Sequence, residues 1–114
     1  LPISLRWITV LNGRDIRLIT VEDVCYFRAD SKYVCVVTPD SESLITTSLS
    51  ELLTRLDPQM FWQVHRSTVV NIQTVHSVRR SVTGQLELRL KQRSEVLRVS
   101  AAHAHLFKHM SVWP

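Results

Sequence analysis

The sequence predicts a mostly β domain of short strands with one amphipathic helix. β-Branched and aromatic residues gather in short runs between turn residues, as in VCYFRA (24–29) and YVCVVT (33–38). Leucines fall on one helical face at Leu49, Leu52, Leu53 and Leu56. With 114 residues, 45% of them apolar, the chain can bury a sizeable core but not two independent ones, which predicts a single domain over 1–114.

Taken in order, Arg6–Leu11 reads as a strand and Asn12-Gly13 as a hairpin turn, because both residue types tolerate positive φ. Asp15–Ile19 is the returning strand, and Val21-Glu22-Asp23 a short polar connection. Strands 24–29 and 33–38 flank the turn Asp30-Ser31-Lys32. Pro39-Asp40-Ser41 makes the next turn, with a strand over Ser43–Thr46. Ser48-Leu49-Ser50-Glu51 is a capping box: the Ser48 hydroxyl takes the Glu51 amide while the Glu51 carboxylate reaches back. The helix covers about 48–56, and Asp57-Pro58 stops it. The β pattern resumes at 61–66, about 74–82, 85–91 and 95–99, with a turn at Thr83-Gly84. Ser100-Ala101-Ala102-His103 opens a short C-terminal helix running to about Lys108.

No apolar run approaches the roughly 18–20 residues of a membrane span, and the chain shows no signal peptide. Cys25 and Cys35 lie within apolar strand patterns and lack a partner motif, so both are expected as buried, reduced thiols. A cytoplasmic location follows as an expectation. The opening LPISLRW has no initiator Met, which predicts a piece of a longer protein.

Charge is unevenly spread. Residues 1–60 carry six Lys/Arg against eight Asp/Glu, a balance of −2; residues 61–114 carry eight against two, a balance of +6, and together these give the net +4. A basic C-terminal half is the electrostatic footprint of a polyanion binder. The alternative is plain solvation of strand faces, since Arg89, Lys91 and Arg93 alternate around Leu88 and Leu90.

The segment 61–72, FWQVHRSTVVNI, sets the polar cluster His65-Arg66-Ser67 among strand-forming residues. Arg offers a planar fork of donors and Ser a small hydroxyl, both suited to phosphate and base contacts. A strand end with a solvated Arg, and His65 as a hydrogen-bonded strand residue, is the plainer alternative. Ser48 has two readings as well, cap alone or phosphate contact at a helix start. Arg79 and Arg80 are adjacent on a strand and point to opposite faces, so at most one joins a phosphate track.

Five histidines raise the question of metal or catalysis. His105 and His109 share a helical face at i, i+4, but no carboxylate or Cys accompanies them, so no metal is expected. A Ser67–His65 nucleophile pair lacks a recognisable orienting acid and oxyanion loop. Gly13 and Gly84, the only glycines, both fall in turns, so there is no Gly-rich phosphate loop. No enzymatic activity and no cofactor are expected.

Several pieces together resemble the LytTR DNA-binding domain of bacterial response regulators. They are ITVEDVCYFRADSKYVCV (19–36), TSLSELL (47–53), FWQVHRSTVVNIQTV (61–75) and VLRVS (96–100), in the family's order and over nearly the whole chain. HRS-x-VVN at 65–71 is the most specific piece. The resemblance implies an elongated arrangement of small, mainly antiparallel sheets that places loops in successive major grooves and the minor groove between them. It also implies double-stranded DNA as partner, promoter repeats bound by a second copy of the chain, and an N-terminal receiver or other input domain in a longer regulator.

The contact residues carry over by position. The turn Asp30–Tyr33 matches a major-groove loop, making Lys32 and Tyr33 candidate base readers. Arg66 matches the position after the family's His65 and faces the intervening groove, with Ser67 on phosphate. Ser48 lies where the family also contacts phosphate. Segment Ser100–His105 matches the second major-groove loop; beyond that match, Arg98, Ser100 and Lys108 are expected on phosphates and the pair Ala102–His103 to read bases. There the chain departs from the family, which usually has Arg one or two places after the Ser. Ala101 and Ala102 leave this groove to His103, to Arg98 or to alanine contacts with thymine methyls. Two other function classes stay open: an interaction module pairing through exposed β-edges, and a single-strand binder. The latter needs exposed stacking aromatics, whereas Tyr26, Phe27 and Phe61 sit in core-like patterns.

Overall fold

Two-residue turns and short apolar runs give this chain ten strands and two helices, in a computed structural model that describes residues 4–108. The strands are β1 (Trp7–Asn12), β2 (Asp15–Thr20), β3 (Tyr26–Asp30), β4 (Tyr33–Thr38) and β5 (Ser41–Ile45). After helix α1 (Leu49–Arg55) come β6 (Phe61–His65), β7 (Thr68–Asn71), β8 (Val75–Arg80), β9 (Leu86–Leu90) and β10 (Val96–Val99). Helix α2 (His105–Lys108) follows, and 3₁₀ turns cover Val21–Asp23, Ile72–Thr74 and Ala101–His103.

All pairings are antiparallel, in three sheets: β1-β2, β5-β4-β3-β7-β6 and β10-β9-β8. The middle sheet is covered on both faces. Phe27, Val36 and Val69 are register partners and face a core shared with Ile8, Val10, Ile19, Leu49, Leu52 and Leu56. Their neighbours Tyr26, Val37 and Val70, one residue along, face the opposite core with Leu88, Leu97 and Val99. Single-residue alternation thus loads β3, β4 and β7 into two cores. The molecule is elongated, with extents of 49 × 35 × 24 Å.

The structure corrects the sequence expectations in a few places. The β1–β2 turn is Gly13-Arg14 rather than Asn12-Gly13, since Asn12 pairs with Asp15 and only Gly13 takes positive φ (64°). Strand β6 ends at His65, one residue before the expected 66, and Arg66-Ser67 turn the chain into β7, which lies between β3 and β6 in the sheet. Every residue of β7 is buried, so Thr68-Val69-Val70-Asn71 shows no alternation to mark it as a strand. Half of the capping box forms: the Glu51 amide donates to Ser48 Oγ at 3.1 Å, but no carboxylate bond returns. Cys35 is only half-buried, against the expectation of full burial, while Cys25 is buried, and both are free thiols.

Candidate nucleic-acid interface

Strand register decides where the polar loops meet. Asp30 pairs with Tyr33, Val34 with Ile45, Arg28 with Thr68, and His65 with Thr68. The 30–33 turn, the 46–48 approach to α1 and the 65–67 corner therefore share one end of the middle sheet. The Ser100 amide donates to the Val64 carbonyl at 2.9 Å, bringing the β10–α2 connection to the same end. Val99 pairs with Leu86 and Leu86 with Arg80, which adds the 81–85 turn. Segments spread from residue 30 to the C-terminal helix thus gather at one edge.

Along this edge Lys32 is exposed and Tyr33 is 47% exposed, on a turn whose Ser31 takes the left-handed conformation (φ 57°). Ser48 is exposed at the start of α1, its hydroxyl taken by the Glu51 amide and 3.3 Å from Ser50 Oγ. At the 65–67 corner Arg66 projects into solvent while His65 and Ser67 are half-buried. The Ser67 amide donates to His65 Nδ1 at 3.2 Å, and the Ser67 hydroxyl lies 2.9 Å from the same nitrogen. An amide can only donate, so Nδ1 accepts and the ring's remaining donor is Nε2–H. The Ser67 carbonyl takes the Ala29 amide at 2.8 Å, locking the corner to β3 beside the 30–33 turn.

Around β10 the predicted residues separate. Ser100 Oγ lies 2.6 Å from His103 Nδ1 and both side chains are half-buried, so one hydrogen bond joins the pair. Ala101 and Ala102 are exposed, and His105 Nδ1 bonds the Ala102 carbonyl at 3.1 Å. Phe107 anchors the C-terminal helix by packing on Trp62, ring centroids 5.6 Å apart. An open cleft of about 470 Å³ brings His65, Arg98, Ser100 and Lys108 together with Arg80 and Gln85 of the β8–β9 hairpin. Of the adjacent pair, Arg80 is the one that reaches this cleft.

The cations of this edge form no ion pair among the described residues. Among the described residues the only ion pairs are those of Arg93, to Glu42 at 2.9 Å and Glu95 at 2.7 Å. Arg93 also donates to the Thr38 carbonyl at 3.0 Å, so it belongs to the structure and leaves the polyanion footprint. Tyr26 donates to Glu95 at 2.6 Å. Burial and then the Glu95 bond push the Tyr26 phenol up. Burial works against the Glu95 charge, but the Tyr26 bond, a backbone amide and Arg93 outweigh it and hold the carboxyl down. Burial raises both thiols, helped at Cys35 by Glu42. A larger cleft of about 750 Å³ opens at the far end, where Arg6 faces Glu22 and Asp57, a poor match to a polyanion.

Among the described residues no group of three or more His, Cys, Asp or Glu is placed to hold a metal; His109 lies outside them. No helix of the described residues is long and apolar enough to cross a membrane.

The family model of the LytTr DNA-binding domain matches residues 14–111. The chain belongs to the LytTR DNA-binding domain family. It is 38% identical over 106 residues to an uncharacterized response regulatory protein of Vibrio cholerae, covering 90% of this chain and 40% of the relative. It is 35% identical over 72 residues to a heme-containing CO-sensing transcriptional regulator of Paraburkholderia xenovorans, covering 63% of this chain and 27% of that protein. The chain therefore spans well under half of the curated relatives it matches. The LytTr DNA-binding domain of a methyl-accepting/DNA response regulator from Bacillus cereus superposes with a TM-score of 0.83 at 21% identity, over 92% of this chain and 95% of that one. The mostly β LytTR fold is thus shared. Beyond the predicted residues, Arg80 and Gln85 join this LytTR edge through pairings that sequence distance conceals.

Proposed function

We propose that this LytTR domain binds double-stranded DNA sequence-specifically, as the output domain of a bacterial transcriptional regulator. The observation that carries this is the convergence of the 30–33, 46–48, 65–67 and 100–108 segments on one edge whose cations lack carboxylate partners. Exposed Lys32, Tyr33 and Arg66 reach base edges, and Ala102 with His103 meets the second major groove. Ser48, Ser67, Arg98, Ser100 and Lys108 position the domain on phosphates, with His65 fixing the corner that carries Arg66. Two copies bind repeated half-sites, gaining affinity through effective concentration. The longer regulator carries a receiver or another input domain upstream, and acts in the cytoplasm.

Selection of bound duplexes from a random pool tests this directly. Enrichment of paired motifs about one helical turn apart is expected, with log K falling against log salt at a slope near −5 for about six phosphates. Arg66→Ala is expected to cost about 1–3 kcal/mol and to relax preference at one base position. An equal loss on every duplex moves Arg66 to the backbone instead.

One observation favours a second reading, an interaction module. The outer face of the β1–β2 hairpin exposes Trp7 (55%), Leu11 (80%), Ile16 (68%) and Leu18 (63%). Partner binding there would be nearly insensitive to salt, which separates it from DNA binding.

A further inference from the structure

From sequence the β8–β9 hairpin offers only the Arg79–Arg80 pair, at most one of which joins a phosphate track, and in the structure it forms one wall of the basic cleft beside β10. Register explains how. Arg80, Leu86 and Val99 are successive cross-strand partners and share one face of the three-stranded sheet, the face turned to the core. Arg79, Glu87 and Arg98 alternate with them on the other face. At the sheet's end Arg80 has no strand left to cover it, so it stays exposed, and its Nη1 donates to the Gly84 carbonyl at 3.1 Å. One guanidinium nitrogen is thus tied to the hairpin turn, and the group is held in place before any ligand arrives. That lowers the side-chain entropy lost on binding.

Across from Arg80 stand Lys108, His65, Ser100 and Ala101, while Arg98, which register sets on the other face of the sheet, borders the cleft. Among the described residues no carboxylate lines the cleft, and neither Arg80 nor Lys108 makes an ion pair. With Nδ1 engaged by Ser67, His65 has only an N–H donor to offer a ligand. Gln85 adds an amide. Two cations and several neutral donors around one cleft are the complement of a tetrahedral oxyanion, not of an apolar or cationic ligand.

We infer that this cleft is a phosphate seat, with Arg80 as its pre-positioned arm. It takes a phosphodiester of bound duplex or a free phosphate monoanion or dianion, the shared chemistry being the tetrahedral oxyanion. As a seat for a DNA phosphate it rests on the proposed function. Its role there is register: a phosphate gripped between β8–β9 and the 100–108 segment sets how deeply Ala102 and His103 enter the groove. Because a phosphate carries no sequence, Arg80 contributes equally on every duplex.

The test uses the whole chain and two arms. In the first, inorganic phosphate is titrated and backbone amides are followed by NMR. Shifts centred on Gly84, Gln85, Ser100 and Ala101, abolished in Arg80→Gln but retained in Arg79→Gln on the opposite face, are expected. Shifts scattered elsewhere, or none, overturn the seat, and this readout needs only the unmutated protein should Arg80→Gln not fold. In the second arm, binding to the selected duplex and to an unrelated one is measured at several salt concentrations. Arg80→Gln is expected to weaken both by the same factor and to reduce the salt slope by about 1. An unchanged slope, or a loss confined to the selected duplex, overturns the assignment of Arg80 to a DNA phosphate. Phosphate shifts at the cleft without any duplex binding by the unmutated chain keep the seat for free phosphate and remove the proposed function.

Discussion

Asn71 is completely buried and yet wholly occupied. Its Nδ2 donates to the Val24 carbonyl at 3.0 Å and the Glu22 carbonyl at 3.3 Å, while its Oδ1 accepts the Gln73 amide at 3.0 Å. One side chain thereby satisfies two turns, 21–24 and 71–74, that lie 47 residues or more apart in sequence. Asn71→Ala is expected to destabilise the domain by at least about 2 kcal/mol, since each buried group left unpaired costs about 1–3 kcal/mol. Chemical denaturation checks this, and a loss below about 0.5 kcal/mol would mean that water replaces the amide. Only part of this was legible beforehand. The residue types of His65-Arg66-Ser67 announce a polar projection, and Arg66 does project. The structural role of Asn71, by contrast, was not legible, because its partners come from a distant segment.

Elements whose signals are local were legible. The helix begins at the capping serine and ends before Asp57-Pro58, and Leu49, Leu52 and Leu56 are buried on one face. The strands flanking the 31–32 turn and the 13–14 turn fall within a residue or two of expectation. Strand β7 was illegible because burial on both faces erases alternation, and four residues are too few to reveal it otherwise. At the helix start, cap and phosphate roles for Ser48 make different demands. Ser48→Ala removes the acceptor for the Glu51 amide and is expected to cost about 1 kcal/mol of stability. If Ser48 also touches phosphate, Ser48→Ala loses DNA affinity at temperatures where it remains folded, whereas Ser48→Asp restores the cap but repels the backbone. Ser48→Asp binding duplex as well as the unmutated chain reduces Ser48 to a cap. Thermal unfolding and salt-dependent binding on the same samples give both answers.

At the scale of the whole molecule, the site is assembled by register that no local pattern encodes: Arg80 reaches Ser100 through two strand pairings. The three-stranded sheet must therefore stay fixed on the middle sheet. Besides the apolar contacts of Leu88, Leu97 and Val99, a polar tie does this at the far end. Arg93, in the β9–β10 loop, bonds Glu42 of β5, the Thr38 carbonyl of β4 and its neighbour Glu95, which in turn takes the Tyr26 hydroxyl of β3. The carboxyl of Glu95 is held below its ordinary value of 4.5, so the unfolded chain takes up the proton first. Its contribution is complete above about pH 4.5 and disappears as pH falls through the lower folded value. The Tyr26 phenol is shifted the opposite way, upward from 10.0, so its contribution is complete below pH 10 and is lost as pH rises beyond it. Stability of the intact domain is thus expected to fall on both sides of this window. Glu95→Gln flattens the acid limb, because the group no longer titrates. Arg93→Ala lowers stability throughout by about 2 kcal/mol, or roughly 8–16 °C in melting temperature, since charged hydrogen bonds are lost. Melting curves from pH 3 to 11 on the three proteins decide it. An acid limb as steep in Glu95→Gln as in the unmutated chain would place the acid-sensitive group elsewhere, and the tie would then hold the sheets through the bonds of Arg93 to Glu42 and the Thr38 carbonyl.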